Sequence, residues 1–372
     1  MSMWRRVPLW VVMLVAVWVA GCQGAGPSQP VAVRPTDLGP LIDALDARDL
    51  GYTLQWATDL GVSGNQTLSY VEALGDVIVC VESPSNMVTA ISLREGNILW
   101  RSVVGKPADK LFAPVRRDDR LLINSEQLLY SVDIKTGQMI EVSRLQSLVN
   151  HAPAVVGDTV VYGGLNHRVF AHDFRAGYSR WAYQLTERVF AQPATFGPNV
   201  FVADGNGVYA MFVAATGQLL WKGRTFSRVS AQPAMSHMGV FVASEDHALY
   251  ALDGATGRDR WIFHTTEPLT RSPYVFPNTV ILPLPGRGVI VAIHARTGAK
   301  KWQLPFMAEP IYQFEDTLLL HTDYSLLVVD IGSGKIFSEV PVHRLRAVIH
   351  IPDRQLVLVS PGGRLLLMAP QS

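Results

Sequence analysis

Cysteine is nearly absent, with 2 in 372 residues. Cys22 lies near the N-terminus and Cys80 in the strand-like run GDVIVCVES, so no disulfide framework staples this fold. Cys80 reads as a small buried hydrophobe. The 10 histidines are scattered, without a His-Glu-x-x-His or a Cys/His cluster, and the usual metal-site patterns are missing. Charged residues make up only 17%, and no Lys/Arg run offers an electrostatic track for nucleic acid. Also missing is an apolar run of ~20 residues, the length a membrane-spanning helix needs. What is abundant is hydrophobic residues (48%), 30 Gly and 23 Pro, a composition that suits many short strands joined by many turns.

The segment MSMWRRVPLWVVMLVAVWVAGC has a basic start (Arg5, Arg6), a 14-residue apolar run from Val7 to Ala20, and small residues before Cys22. That pattern predicts an export signal over residues 1–21. Its ending, Val19-Ala20-Gly21-Cys22, resembles a bacterial lipobox, which implies cleavage before Cys22 and acylation of that residue. A retained signal anchor is the rival, but 14 residues fall short of a span. Loss of Arg5 and Arg6 leaves 30 Lys+Arg against 31 Asp+Glu. Residues 22–50 read as a tether, QGAGPSQPVAVRP, followed by one short helix. In that helix Leu41, Ile42, Leu45 and Leu50 fall at helical spacing, with Asp37 as a candidate cap.

From residue 51 onward the chain repeats itself. A turn glycine recurs at Gly96, Gly137, Gly177, Gly217, Gly257, Gly298 and Gly334, in steps of 41, 40, 40, 40, 41 and 36 residues. Prolines mark the unit starts at Pro114, Pro153, Pro193, Pro233, Pro273 and Pro310. Such a period signals a repeat architecture. One unit, SAQPAMSHMGVFVASEDHALYALDGATGRDRW, divides into four short runs bounded by turn residues, with no room for a crossover helix. The Asp-x-x-Thr-Gly segment predicts a hairpin with a bulge between the third and fourth strands, its glycine at positive φ. Asp133, Asp173, Asp253 and Asp330 share that turn position, which argues turn chemistry over catalysis.

Trp100, Trp181, Trp221, Trp261 and Trp302 each follow a turn glycine by four residues, a spacing that predicts an aromatic wedge between neighbouring sheets. Glu141 and Ser338 break the pattern, with Ile140 and Phe337 as the expected compensation. Trp56 stands in a lone first strand, YTLQWATDL, while the tail from Ala347 supplies three strands and stops. The two halves make one unit. The prediction is therefore an all-β, closed eight-bladed β-propeller of four-stranded antiparallel blades over residues 51–372, the N-terminal strand completing the last blade. An open solenoid would leave the complementary ends to coincidence, and the dipeptides of WD40 propellers are missing.

The pattern Ala251, Asp253, Thr256, Gly257, Trp261 resembles the repeat of the PQQ-type eight-bladed propellers over roughly residues 51–369. Two kinds of protein share these repeats: quinoprotein dehydrogenases, and BamB-like lipoproteins that scaffold assembly of outer-membrane β-barrel proteins. The first kind implies adjacent cysteines, calcium ligands and a catalytic aspartate, and the sequence offers no adjacent cysteines. We therefore expect a non-enzyme without cofactor or metal, acting as a monomeric protein-binding scaffold. Its expected place is the outer membrane, facing the periplasm; Gln23 after the lipid-bearing Cys22 fits that sorting. The alternatives are an envelope enzyme with its site in the propeller funnel and a binder of polysaccharide or another envelope component.

Within QLTERVFAQP, Leu185 and Arg188 match the Leu-x-Leu-Arg loop of BamB-like proteins, whose exposed residues engage the barrel-assembly protein BamA; Glu187 replaces the second leucine. The following loop, RTFSRVSAQP, lacks the aspartates that the family carries there, but Arg228 occupies the site equivalent to Arg188. Arg144, Arg188, Arg228 and Arg271 fall in successive units and are expected to form a basic arc for partner binding, with Leu185, Val189 and Phe226 as its apolar members. Addition of a partner strand at a blade edge is the second mode, ranked lower because Arg258, Asp259, Arg260, Lys300 and Lys301 blunt the edges.

Overall fold

A computed structural model describes residues 41–62 and 64–371. The expected signal segment, Cys22, the tether and Asp37 lie outside them. A short helix is present but shorter than expected, Ala44–Asp49: Asp43 caps it by accepting from the Leu45 amide at 3.0 Å, so Leu41 and Ile42 precede the helix and Leu50 ends it. Leu41, Ile42 and Ala47 are buried against the last two sheets, whereas Leu45 is exposed.

After the helix the regular structure is sheet, apart from a 3-10 turn at Pro285–Arg287. Eight four-stranded antiparallel sheets follow the order of the sequence. Blade 1 spans 67–103, blade 2 115–144, blade 3 154–184, blade 4 194–224, blade 5 234–264, blade 6 274–304 and blade 7 309–341. Blade 8 takes its three inner strands from 347–370 and its outer strand from Tyr52–Asp59, which pairs antiparallel with Arg364–Pro370. An apolar cluster of Trp56, Ile78, Cys80, Val357 and Leu367 joins blade 8 to blade 1.

The strand sequences follow from stacking. The second and third strands of each blade are covered on both faces, so they read as near-continuous apolar runs such as VIVCVES and GVFVAS, buried almost throughout. Outer strands are covered on one face and alternate, as in DRWIFH. The hairpin glycines serve two ends at once. Gly217 has φ 73°, and a Cβ there would stand 2.6 Å from the Trp181 ring of the preceding blade. The tryptophan wedge is thus seated on the next blade's turn. Each ring also donates its Nε1–H to a carbonyl of that turn: Trp181 to Ala214 at 2.7 Å, Trp221 to Gly254 at 3.0 Å, Trp302 to Ile331 at 2.9 Å. The predicted bulge is present, with the register slipping between Ala251 and Leu252 opposite Trp261.

The aspartates do turn work. Asp253 Oδ1 accepts from the amides of Ala255 and Thr256 at 3.1 and 3.0 Å and from the Thr256 hydroxyl at 2.9 Å. Arg260, then Thr256, hold its carboxyl at about 2. One expectation fails here: Ile140 and Phe337 are both exposed and do not replace the missing tryptophans. Between blades 2 and 3 the space is taken from the other side by Phe174, which is buried with Leu122, Tyr162 and Phe170. Arg120 and Arg175 lie against its ring at 5.9 and 5.3 Å. The neighbouring Gly177 accordingly meets only Glu141 Oε1, at 3.7 Å.

Candidate protein-docking face

The crossovers from one blade's outer strand to the next blade's inner strand share a face with the loops between second and third strands. Three hydrogen bonds repeat the join: Leu165 N–H to Leu148 O at 2.8 Å, Gly205 N–H to Arg188 O at 2.8 Å, and Glu245 N–H to Arg228 O at 2.9 Å. Leu148, Arg188 and Arg228 therefore occupy one structural position in successive crossovers, and all three are exposed. Backbone pairing beneath them fixes where they stand, as loops on a rigid scaffold require.

The arc of four arginines resolves into three different positions. Arg188 and Arg228 are equivalent. Arg144 ends the outer strand of blade 2, at the position of Gln184, Arg224 and His264 in the following blades. Arg271 stands further along its crossover, beside the inner strands, where it lines a separate cleft with Gln232 and Tyr274. Leu185 is 5% exposed and Val189 fully buried, so both belong to the core between blades 3 and 4 rather than to a contact surface. Phe226 is the apolar residue that projects, at 87% exposure.

Two carboxylates hold this row in place. Asp204 is fully buried. Its Oδ2 accepts from Thr186 N–H at 3.0 Å, Thr186 Oγ1 at 2.7 Å and Glu187 N–H at 3.1 Å, while Oδ1 accepts from Asn206 and Val208 N–H at 2.9 Å each. The loop before Arg188 is thereby tied to the loop of the next blade. Asp246 repeats the device one blade later, accepting from Phe226 N–H at 2.8 Å and from the Tyr250 hydroxyl at 2.6 Å. Burial, then Asp246, push the Tyr250 phenol upward, which keeps it a donor. Arg228 lies 4.7 Å from the Phe190 ring centroid, and Gly205 leaves room for that ring, since a Cβ there would stand 2.7 Å from Phe190. Glu187 sits 3.4 Å from His167 and 3.8 Å from Arg188. The Arg188 amide, and then the His167, Arg188 and Arg228 charges, hold its carboxyl below the usual range.

Sequence reasoning found the two arginines and placed the loops of Asp204 and Asp246 on the same face, but gave those carboxylates no supporting role. Asp204 and Asp246 lie in the loops between second and third strands of successive blades, but nothing in the local pattern separates a loop carboxylate that ties backbone from a solvated one.

The funnel is built differently. The inner strands of blades 3 to 6 read AVV, ATF, AMS and YVF. Among the described residues no group of three or more His, Cys, Asp or Glu is placed to hold a metal ion. Cys80 is buried in the second strand of blade 1, where burial pushes its thiol up. A quinone-and-calcium centre of the quinoprotein kind needs adjacent cysteines and clustered oxygen ligands, and this donor set does not fit it.

Sheet order and repeat chemistry together define an eight-bladed β-propeller built on PQQ-type repeats. The chain belongs to the family described as outer membrane protein assembly factor BamB, which matches residues 41–183 and 166–370. Among solved structures it is similar to BamB from Moraxella catarrhalis, at 20% identity and a TM-score of 0.68, over 86% of this chain and 97% of that one. The computationally designed Ika8 protein is similar at 15% identity and TM-score 0.67, over 82% and 96%. Quinohemoprotein alcohol dehydrogenase ADHIIG from Pseudomonas putida HK5 is similar at 11% identity and TM-score 0.65, over 86% and 76%. These likenesses establish the fold, which binding proteins and enzymes share. No curated protein matches the sequence significantly.

Proposed function

We propose that this protein is a non-enzymatic scaffold in outer-membrane β-barrel assembly, anchored through acylated Cys22 at the outer membrane and facing the periplasm, and that its crossover row docks a barrel-assembly protein. Membership of the BamB family supports the role. The observation that carries the docking face is a pair of carboxylates, buried Asp204 and half-buried Asp246, which fix the backbone beneath Arg188 and Phe226. A pre-ordered loop presenting an exposed aromatic and two arginines loses little freedom on association, and aromatics and arginine dominate binding energy at protein interfaces. The export signal and the Cys22 motif support the location.

Site-specific photocrosslinking tests this in cells. A photoreactive residue in place of Phe226 should capture a component of the barrel-assembly machinery, and the same residue in place of Tyr178, on the outer strand of blade 3, should not. Equal capture at both positions, or capture at neither, contradicts the assignment of this face.

A further inference from the structure

The crossover that leaves blade 1 is the longest in the ring. Blades 2 to 5 are left through nine residues (145–153, 185–193, 225–233, 265–273), whereas blade 1 is left through eleven, 104–114. Blade 1 also opens on an inner strand of eight residues, Thr67–Leu74, against three in blades 2 to 6. These departures enclose a cleft of about 340 Å³. The long crossover is anchored by buried Asn86, whose Nδ2 donates to the carbonyls of Lys106 and Asp109 at 2.6 and 3.0 Å, and by Ala108 N–H to Pro84 O at 2.7 Å. Asp109 turns its carboxylate back onto the Lys106 amide at 3.1 Å.

Two cations from opposite sides line the cleft: Lys110 from the long crossover and Arg346 from the approach to blade 8. Arg346 is oriented by donating to Ser69 O at 2.7 Å. Lys110 Nζ stands 5.0 Å from the Phe112 ring centroid. Among the described residues neither cation has a carboxylate at ion-pair distance. Thr67, Ser69, Tyr70 and Ser83 add hydroxyls to the lining. None of the acids of this blade lines the cleft, and burial raises the carboxyls of Glu72 and Glu82 above the usual range.

We propose that this cleft is a binding site for a phosphate group, with Lys110 and Arg346 as its charged contacts and the surrounding hydroxyls as further donors. An arginine fork, an ammonium and several hydroxyls offer more donors than a carboxylate can accept, and a phosphate has the acceptor oxygens to use them. The cleft lies across the ring from the Arg188 and Arg228 crossovers, so it stands or falls independently of the docking face.

Calorimetric titration of the full-length protein in phosphate-free chloride buffer is the test, with inorganic phosphate, monomeric dihexanoyl phosphatidylglycerol and acetate as separate probes. The expected result is binding of a phosphate probe in the ~1 mM range or tighter. The Lys110→Gln/Arg346→Gln variant should lose roughly tenfold or more of that affinity, while Arg188→Ala/Arg228→Ala retains it. Lys110→Gln alone, which touches no backbone group, guards against a folding defect and should weaken binding in the same direction. Tighter binding of the short lipid identifies a headgroup as the source; binding of free phosphate as tightly or more tightly identifies the free ion. No binding of either phosphate probe, equal binding by the Lys110 variants, or acetate binding as tight as phosphate overturns the proposal.

Discussion

At the scale of single residues, the unusual groups here are buried polar ones, and each makes a measurable demand. Asp204 satisfies five donors from the interior of a loop junction. Asp204→Ala strands those donors and is expected to cost about 3 kcal/mol in denaturant unfolding. His151 is the second case. Its Nδ1 lies 2.8 Å from Ala152 O, Nε2 has no partner, and burial pushes its pKa down to about 4. A base whose folded pKa lies below its unfolded value of ~6.5 contributes stability above that value and loses it as pH falls toward the folded pKa. Stability should therefore decline between pH ~6.5 and about 4, by up to ~3 kcal/mol from this group, and His151→Gln should flatten that limb of a pH series. The hairpin aspartates act lower. Asp253, held at about 2, contributes above its unfolded value of ~3.9 and loses that contribution between there and about 2, so Asp253→Asn should alter only the acid limb.

At the scale of the element, the unit is a tryptophan seated on the next blade's turn glycine. Gly217→Ala forces a side chain into φ 73° and into the Trp181 ring; Gly197→Ala imposes a similar φ of 58° where nothing lies within 4 Å. The first should cost at least ~2 kcal/mol more than the second, the difference measuring the wedge alone. Phe174→Ala opens the interface where Glu141 stands in place of that tryptophan and should cost about 3–5 kcal/mol. This is also where sequence reading reached its limit. The period, the turn aspartates and the tryptophans announced the blades because every interface repeats the same packing problem. At the blade 2–3 interface, which lacks the tryptophan, Phe174 fills the space from the opposite side, at a position where other blades carry Ile134, Ala214 or Gly254. A lone aromatic after a turn aspartate carries no periodic signal. Arg188 and Arg228 were legible for the same reason that Leu185 misled: register gives the position along a strand or crossover, while the facing direction depends on the neighbouring blade.

At the scale of the whole molecule, a ring of eight stacked sheets makes the fold stiff and leaves the connecting loops free to differ. The inner strands of blades 3 to 6 are mostly apolar, whereas those of blades 1, 2 and 7 carry Glu72, Arg116, Arg117 and Gln313; the pinned crossovers give one face its fixed loop geometry. The proposed function has this face bind a barrel-assembly protein through Arg188, Phe226 and Arg228. Its most direct test is the equilibrium affinity between the purified chain and the periplasmic region of the barrel-assembly protein from the same organism, measured for wild type and for the Arg188→Ala/Phe226→Ala/Arg228→Ala variant. The expected result is saturable binding by the wild type and a loss of roughly a hundredfold, about 2.7 kcal/mol, in a variant that still unfolds at the wild-type midpoint. Undiminished affinity in a folded variant, or no binding by the wild type, would contradict the claim.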